Sequence, residues 1–358
     1  MKCETYPIRS GYDGKKCLVH ARCCYAPGFM IATSQYLDVS GIDLFDGLLV
    51  SISKDDGKTW SEFRKEEGLA LVVEGNLRTV GCDATPMYHK ASKKVLLLGH
   101  TAQYEKNGCR PAKNERKTFY SVYDEEKGKF SEMKFIAMPK GFEKCGCGSG
   151  QSVELENGDL LIPVYYSKEN EPDLYYVMVI RCSFDGENIE LKEMGNSLTM
   201  HIKRGLYEGS LIFHKGLYYL TMRNDQCGAL AVSEDGLNYK DMQLWCWEDG
   251  SVLQNYNTQQ HWFKLEDELY LMYTRRGADN DHVFRHRAPL FAARVENMRL
   301  VRESEMAIIP ERGARLGNFG VTAYKEGKAV AMAAEWMQPK GCEAYGCDNA
   351  IFISVIEK

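Results

Sequence analysis

No apolar run in this 358-residue chain approaches the length of a bilayer. The longest, such as LALVV at 69–73 and KVLLLG at 94–99, fall far short of the roughly 20 residues a spanning helix needs, so no membrane segment or membrane partner is expected. The opening MKCETYPIRSGYDGKK has no apolar leader core, which gives the expectation of a cytoplasmic protein. A basic stripe is missing too. Lys and Arg number 45 against 50 Asp and Glu, the net charge is −5 and the signs are interspersed, so nucleic acid is not an expected partner. The 13 cysteines are odd in number and carry no paired CxxC spacing, even at Cys145-Gly-Cys147 or at Cys342 and Cys347; they read as reduced thiols rather than a disulfide framework or a zinc site. Stretches of helical period are absent, as are linkers rich in Pro, Ser or Gly, so nothing marks a helical unit or a domain boundary.

What the chain has instead is repetition. Runs of β-branched and aromatic residues followed by polar ones begin near 29 (FMIATSQY), 95 (VLLLGHTAQY), 160 (LLIPVYYS), 217 (LYYLTMRND), 269 (LYLMYTRRG) and 329 (AVAMAAEW). A period near 60 residues with about four strands per unit is the mark of a β-propeller. Gly-bearing turns precede most of these runs (ENGDLL, HKGLYY, KEGKAV), as hairpins between a first and a second strand require. The expectation is all-β: one six-bladed propeller of four-stranded antiparallel blades over residues 1–358.

A third strand and a distinctive turn follow in SISKDDGKTW, residues 51–60, where Ser53-x-Asp55-x-Gly57-x-Thr59-Trp60 combines a side chain that bonds turn amides, a residue tolerant of positive φ and an aromatic plug. Degenerate copies stand at Ser183-Phe-Asp185-Gly186 and Ser233-Glu-Asp235-Gly236. This is the Asp-box, and with it the chain resembles the sialidase superfamily. Because that turn lies at the blade periphery, chemistry must be sought on the central face, where the leading ends of inner strands and the exits of second strands converge. Leading ends supply His20, Arg22, Asp83, Gln151, Glu208, Gln260, His261 and Asn318. Exits supply Gln35, His100, Arg223, Arg275, Arg276 and Glu335.

The resemblance implies roles for several of these. Arg22 matches the family's first arginine, Asp43 or Asp46 its acid/base aspartate, Glu208 and Arg223 its fourth-blade pair, Arg275 or Arg276 its third arginine, and Glu335 the late Glu that orients the first arginine. Arg22 and Glu335 also admit a simpler reading, as a bridge closing the ring. Three guanidinium groups would hold a carboxylate through charge-assisted, partly bidentate bonds. The expected ligand is therefore a small acidic saccharide, and the expected activity an exo-acting, sialidase-like glycoside hydrolysis.

One departure stands out: where the family places its nucleophilic Tyr, this chain has Asn318 and Phe319, with Tyr324 and Tyr345 the nearest alternatives. Three readings stay open. Inverting hydrolysis would use Glu208 or Asp83 as base and Asp46 as acid. Elimination on a uronate would use His20 or His261 as base. A sugar-binding propeller would need neither. The charged segment RRGADNDHVFRHRAPLF, 275–291, either is a solvated loop or overhangs the pocket with Arg285 and Arg287 as further anion ligands. No cofactor or metal is expected, since the spacing of His282 and His286 suits a ligand pair only on a helix.

Overall fold

The computed structural model describes every residue except 42, 110, 112–114 and 143–144. It is all-β, with six sheets of antiparallel strands arranged as the blades of a propeller. Blade one runs Lys16–Ala26, Phe29–Asp38, Phe45–Ser53 and Arg64–Lys65 from the axis outwards. Blade two has Leu77–His89, Lys94–Glu105, Thr118–Asp124 and Lys129–Phe130, with Val72–Glu74 added beside its first strand. Blades three, four and five begin at Val153, Tyr207 and His261. Blade six takes Gly320–Tyr324, Lys328–Trp336 and Ile351–Glu357 from the C-terminal end of the chain and Lys2–Arg9 from the other, so the ring closes on itself. Among the described residues no helix is long and apolar enough to cross a membrane.

The second strands explain the sequence runs. Each is packed on both faces by neighbouring blades, so Leu160–Ser167 and Ala329–Trp336 are buried at every position rather than alternating. The core accordingly sits in layers between blades; between blades four and five the Trp245 and Trp262 rings lie 5.4 Å apart. At the periphery the 53–60 turn forms as its residues dictate. Ser53 Oγ donates to Asp55 Oδ1 at 2.8 Å and accepts from the Gly57 amide at 2.8 Å, while the Thr59 amide and hydroxyl donate to the two Asp55 oxygens. Those bonds, Thr59's first, hold the Asp55 carboxyl down to about 2. Ser233, Asp235 and Gly236 repeat the arrangement in blade four.

One distortion positions the site. In blades one, two and four the inner strand carries the same two-for-one bulge, at His20-Ala21, Asp83-Ala84 and Glu208-Gly209. The first residue of each is left-handed, at φ 58°, 53° and 49°. Such a bulge re-aims a side chain, and a left-handed non-glycine residue costs about 1 kcal/mol or more, so three equivalent copies bearing His, Asp and Glu mark the functional end of the ring.

Candidate functional site

On that end lies a pocket of about 880 Å³. Its floor is Asp83. Three donors converge on Asp83 Oδ1: Arg22 Nη2 at 3.1 Å, Ser149 Oγ at 2.8 Å and Asn318 Nδ2 at 2.7 Å; His20 Nδ1 lies 2.9 Å away without hydrogen-bond geometry. Burial opposes ionisation, but His20 and then Arg22 outweigh it and hold the carboxyl well below its usual range. Asp83 is thus ionised at neutral pH, and among the described residues no hydrogen bond engages its second oxygen.

Glu208 has no such oxygen. Both its oxygens accept from Arg223 Nη1, at 2.9 and 2.8 Å, so neither is available as a free base. Arg223 stacks on the Tyr207 ring at 4.6 Å, and its Nη2 donates to Asn257 Oδ1. The backbone carbonyl of the same Asn257 accepts from Arg287 Nε and Nη2. A neutral amide residue thus pins two guanidinium groups side by side without neutralising the second.

Arg285 and Arg315 join them. Among the described residues Arg285, Arg287 and Arg315 form no salt bridge, although Arg287 and Arg315 are only 3% and 4% exposed. Burial first, then the neighbouring cations Arg223, Arg315 and Arg285, push the Arg287 guanidinium well below its usual value. Arg315 falls to about 10 from burial and the Arg285 charge. It remains a cation at neutral pH. Like charges crowded in a buried cleft are unfavourable until an anion sits among them.

The remaining wall is aromatic and acidic. Tyr207 donates to Asp225, which Arg204 grips through Nε at 2.7 Å and Nη2 at 3.0 Å. Burial works against it, yet the bonds from Arg204 and Tyr207 bring the Asp225 carboxyl down to about 2. Asp43 lines the opposite rim beside Arg285 and Arg315. Cys82, Asp83 and His100 lie near enough to share a cation, but Arg116 and Arg22 press positive charge on the same spot.

Of the residues chosen from sequence, the structure brings His20, Asp43, Asp83, His100, Glu208, Arg223, Arg285, Arg287 and Asn318 to the pocket. The others lie elsewhere. Arg22 is wholly buried beneath the floor, spent on Asp83, Ser149 and the carbonyls of Ala84 and Phe319. Glu335 does not reach it, because Arg312 holds both Glu335 oxygens. Arg275 pairs with Glu305 at 2.6 Å, and Arg276 stacks on Tyr256 at 4.0 Å, both off the pocket wall. Asp46 is drawn to the surface by Lys16 at 2.7 Å. His261 is sealed in the channel, where Nε2 donates to the Phe319 carbonyl and Nδ1 accepts from Ser210. Gln151 ties the Trp262 and Val321 backbones, and Gln260 is engaged by Thr221 and Thr258. Tyr324 and Tyr345 are also away from the pocket, while Asn318 Nδ2 is committed to Asp83 and Ser149.

The expected trio of Arg22, Arg223 and Arg275/Arg276 therefore does not converge. Sequence reasoning missed Arg116, Arg204, Arg315, Tyr207 and Asp225, all in the pocket wall. Arg204, Asp225 and Arg315 lie only two to four residues from Glu208, Arg223 and Asn318, so a slightly wider window at each strand end would have found them.

Comparison with solved structures gives the same architecture. A protein of unknown function from Dyadobacter fermentans superposes with a TM-score of 0.69 at 13% identity, covering 99% of both chains. Trypanosoma rangeli sialidase, solved with the inhibitor DANA, superposes at 0.65 and 14% identity over 96% of this chain and 55% of its own. The leech intramolecular trans-sialidase, complexed with 2,7-anhydro-Neu5Ac, does so at 0.62 and 11% identity over 98% and 68%. This chain thus spans little more than half the length of the trypanosomal sialidase. No protein-family model and no curated protein matches it in sequence. At such identities the likeness establishes the sialidase-like propeller fold.

Proposed function

We propose that this propeller is an exo-acting glycoside hydrolase whose substrate ends in an acidic sugar. The observation that carries the reading is the cluster of Arg287 and Arg315, both buried, with the exposed Arg285 beside them in one pocket, all three without a salt bridge among the described residues, in a chain of net charge −5. A carboxylate placed there accepts several charge-assisted bonds and relieves the mutual repulsion. Sialidase neighbours solved with sialic acid and with DANA make a nonulosonic acid the first substrate to try, and a uronic acid the second.

In this reading Asp43, on the rim, protonates the leaving oxygen. Asp83, ionised and held through Oδ1, accepts a proton from water on the other face of the sugar, giving inversion. Arg223 and Glu208 position the ring. Elimination from a uronate is the second reading, favoured by the His20 imidazole, whose ring nitrogens are buried without a hydrogen-bond partner and whose Nδ1 lies 2.9 Å from the Asp83 carboxylate.

Incubation with sialosides and uronides, read by released sugar and by the ultraviolet absorbance of a new double bond, separates the two. For hydrolysis, Asp43→Asn lowers kcat by about 10²- to 10⁴-fold. Arg287→Ala lowers kcat/KM by about 10²-fold or more through lost anion binding. Wild-type rates in both variants would sink the assignment, and binding without turnover would leave a carbohydrate-binding propeller.

A further inference from the structure

We infer that the substrate carries two anionic groups, one on each side of the pocket, and that Arg116 receives the second. The inference rests on the acidic-sugar reading and extends it to the next unit of the saccharide.

Arg116 stands in the loop between the second and third strands of blade two, Lys94–Glu105 and Thr118–Asp124. Arg285 and Arg287 stand in the corresponding loop of blade five, between Glu268–Tyr273 and Leu290–Glu296. In a ring of six, blades two and five face each other across the axis, so the same loop position delivers guanidinium groups to opposite walls of one cavity. Their neighbours differ accordingly. The cations beside Arg287 are Arg223, Arg315 and Arg285, whereas Arg116 is surrounded by Tyr165, Tyr175, Cys82 and His100.

Arg116 is built as an anion receptor. Its guanidinium carbon lies 4.9 Å over Tyr165 and 5.6 Å over Tyr175, two rings that pack with Tyr207 into a three-tyrosine wall. Stacking occupies the flat faces of the cation, one N–H donates to the Tyr175 hydroxyl, and the rest of the N–H edge is left for a ligand. Among the described residues no carboxylate pairs with it, and Nη1 is buried without any hydrogen-bond partner. A desolvated guanidinium edge in a ligand pocket is unfavourable unless a ligand oxygen completes it. His100 beside it is driven neutral by burial and then by the Arg116 charge, and can donate to the same anion without adding to the repulsion. The cavity, about 880 Å³, is at the upper end of the roughly 300–1,000 Å³ typical of ligand sites and holds more than one sugar unit. The shared chemistry of the second group is a planar or tetrahedral oxyanion, from the carboxylate of an adjacent acidic sugar or from a sulfate ester.

Calorimetric titration with matched probes tests this. One series is α2,3-sialyllactose, the same trisaccharide sulfated on galactose, and α2,8-linked disialic acid; the other is galacturonic and digalacturonic acid. In the series that binds, the second anion strengthens wild-type binding tenfold or more. The sulfated and dicarboxylate members show which source is preferred. Arg116→Gln reduces that gain to under threefold, Arg116→Lys retains more of it than Arg116→Gln, and Arg287→Ala weakens mono- and dianionic probes alike. Near-ultraviolet circular dichroism establishes that each variant is folded. A monoanionic probe that binds with no gain from the second anion, or a gain unchanged in Arg116→Gln, overturns the two-anion inference alone. Failure of every probe to bind the wild type overturns the acidic-sugar reading, and this inference with it.

Discussion

Arg22 shows how a residue can be found and misread at once. Its spacing places it at the leading end of an inner strand, where the structure has it, yet one residue beyond the bulge the side chain turns into the ring instead of into the pocket. Register along a strand is legible in sequence; depth below a pocket floor is not, because it depends on which neighbouring carbonyls the side chain meets. His261 makes the same point and gives a test. Burial, then the Arg22 charge, pushes its imidazole down to about 3, from the ordinary 6.5. A group whose folded pKa is depressed leaves the unfolded chain to bind the proton first, so stability is whole above pH 6.5 and is lost as pH falls towards 3, by at most about 1.4 kcal/mol per pH unit for one histidine. His100, also brought to about 3, adds to the slope. Urea unfolding from pH 7 to pH 5 is expected to show a falling midpoint that is shallower in His261→Gln, which cannot take up a proton. Equal slopes in the two proteins would refute the assignment.

Among elements, hairpins and turns were readable and loops between second and third strands only in part. A turn such as 53–60 announces itself because each position demands a residue type, and in the 275–291 loop the density of Arg and His pointed to Arg285 and Arg287, whereas the loop carrying Arg116 has no period, no obligatory glycine and no such cluster to mark which side chain faces inwards. The left-handed bulges fall between these cases: His20, Asp83 and Glu208 were chosen for being polar at strand starts, but nothing in the sequence revealed that all three share one backbone distortion. Periphery and centre should also separate in experiment. Ser53 is buried and bonds both Asp55 and the Gly57 amide, so Ser53→Ala strips two bonds from the turn and lowers unfolding free energy by about 1–3 kcal/mol. Because the turn lies at the rim, substrate affinity in that variant is expected to match the wild type. A parallel loss of affinity would show that the rim and the pocket are coupled.

For the whole molecule, the arrangement of charge depends on the ring being closed. Arg285 and Arg287 of blade five, Arg315 at the start of blade six, and His20 and Asp83 of blades one and two meet only because the last sheet takes its outer strand from Lys2–Arg9, paired from Lys2 opposite Glu357 to Arg9 opposite Ile351. That strand also ties to the neighbouring blade five, where Thr5 Oγ1 donates to the Ile308 carbonyl at 2.7 Å, and within its own sheet Thr5 Oγ1 lies 2.9 Å from Ser354 Oγ. Removing residues 1–9 exposes the Ile351–Glu357 edge and forfeits a row of ladder bonds worth about 0.5–1.5 kcal/mol each. The net loss is on the order of 5 kcal/mol, enough to lower the melting temperature by about 7 °C in a chain of this size. The shortened protein should also self-associate through the open edge, and adding the 1–9 peptide in trans should restore monomers and raise the melting temperature. If the shortened chain melts where the intact one does, closure is not what holds blades five, six and one in register, and the convergence of the arginines must be maintained by the packing between blades alone.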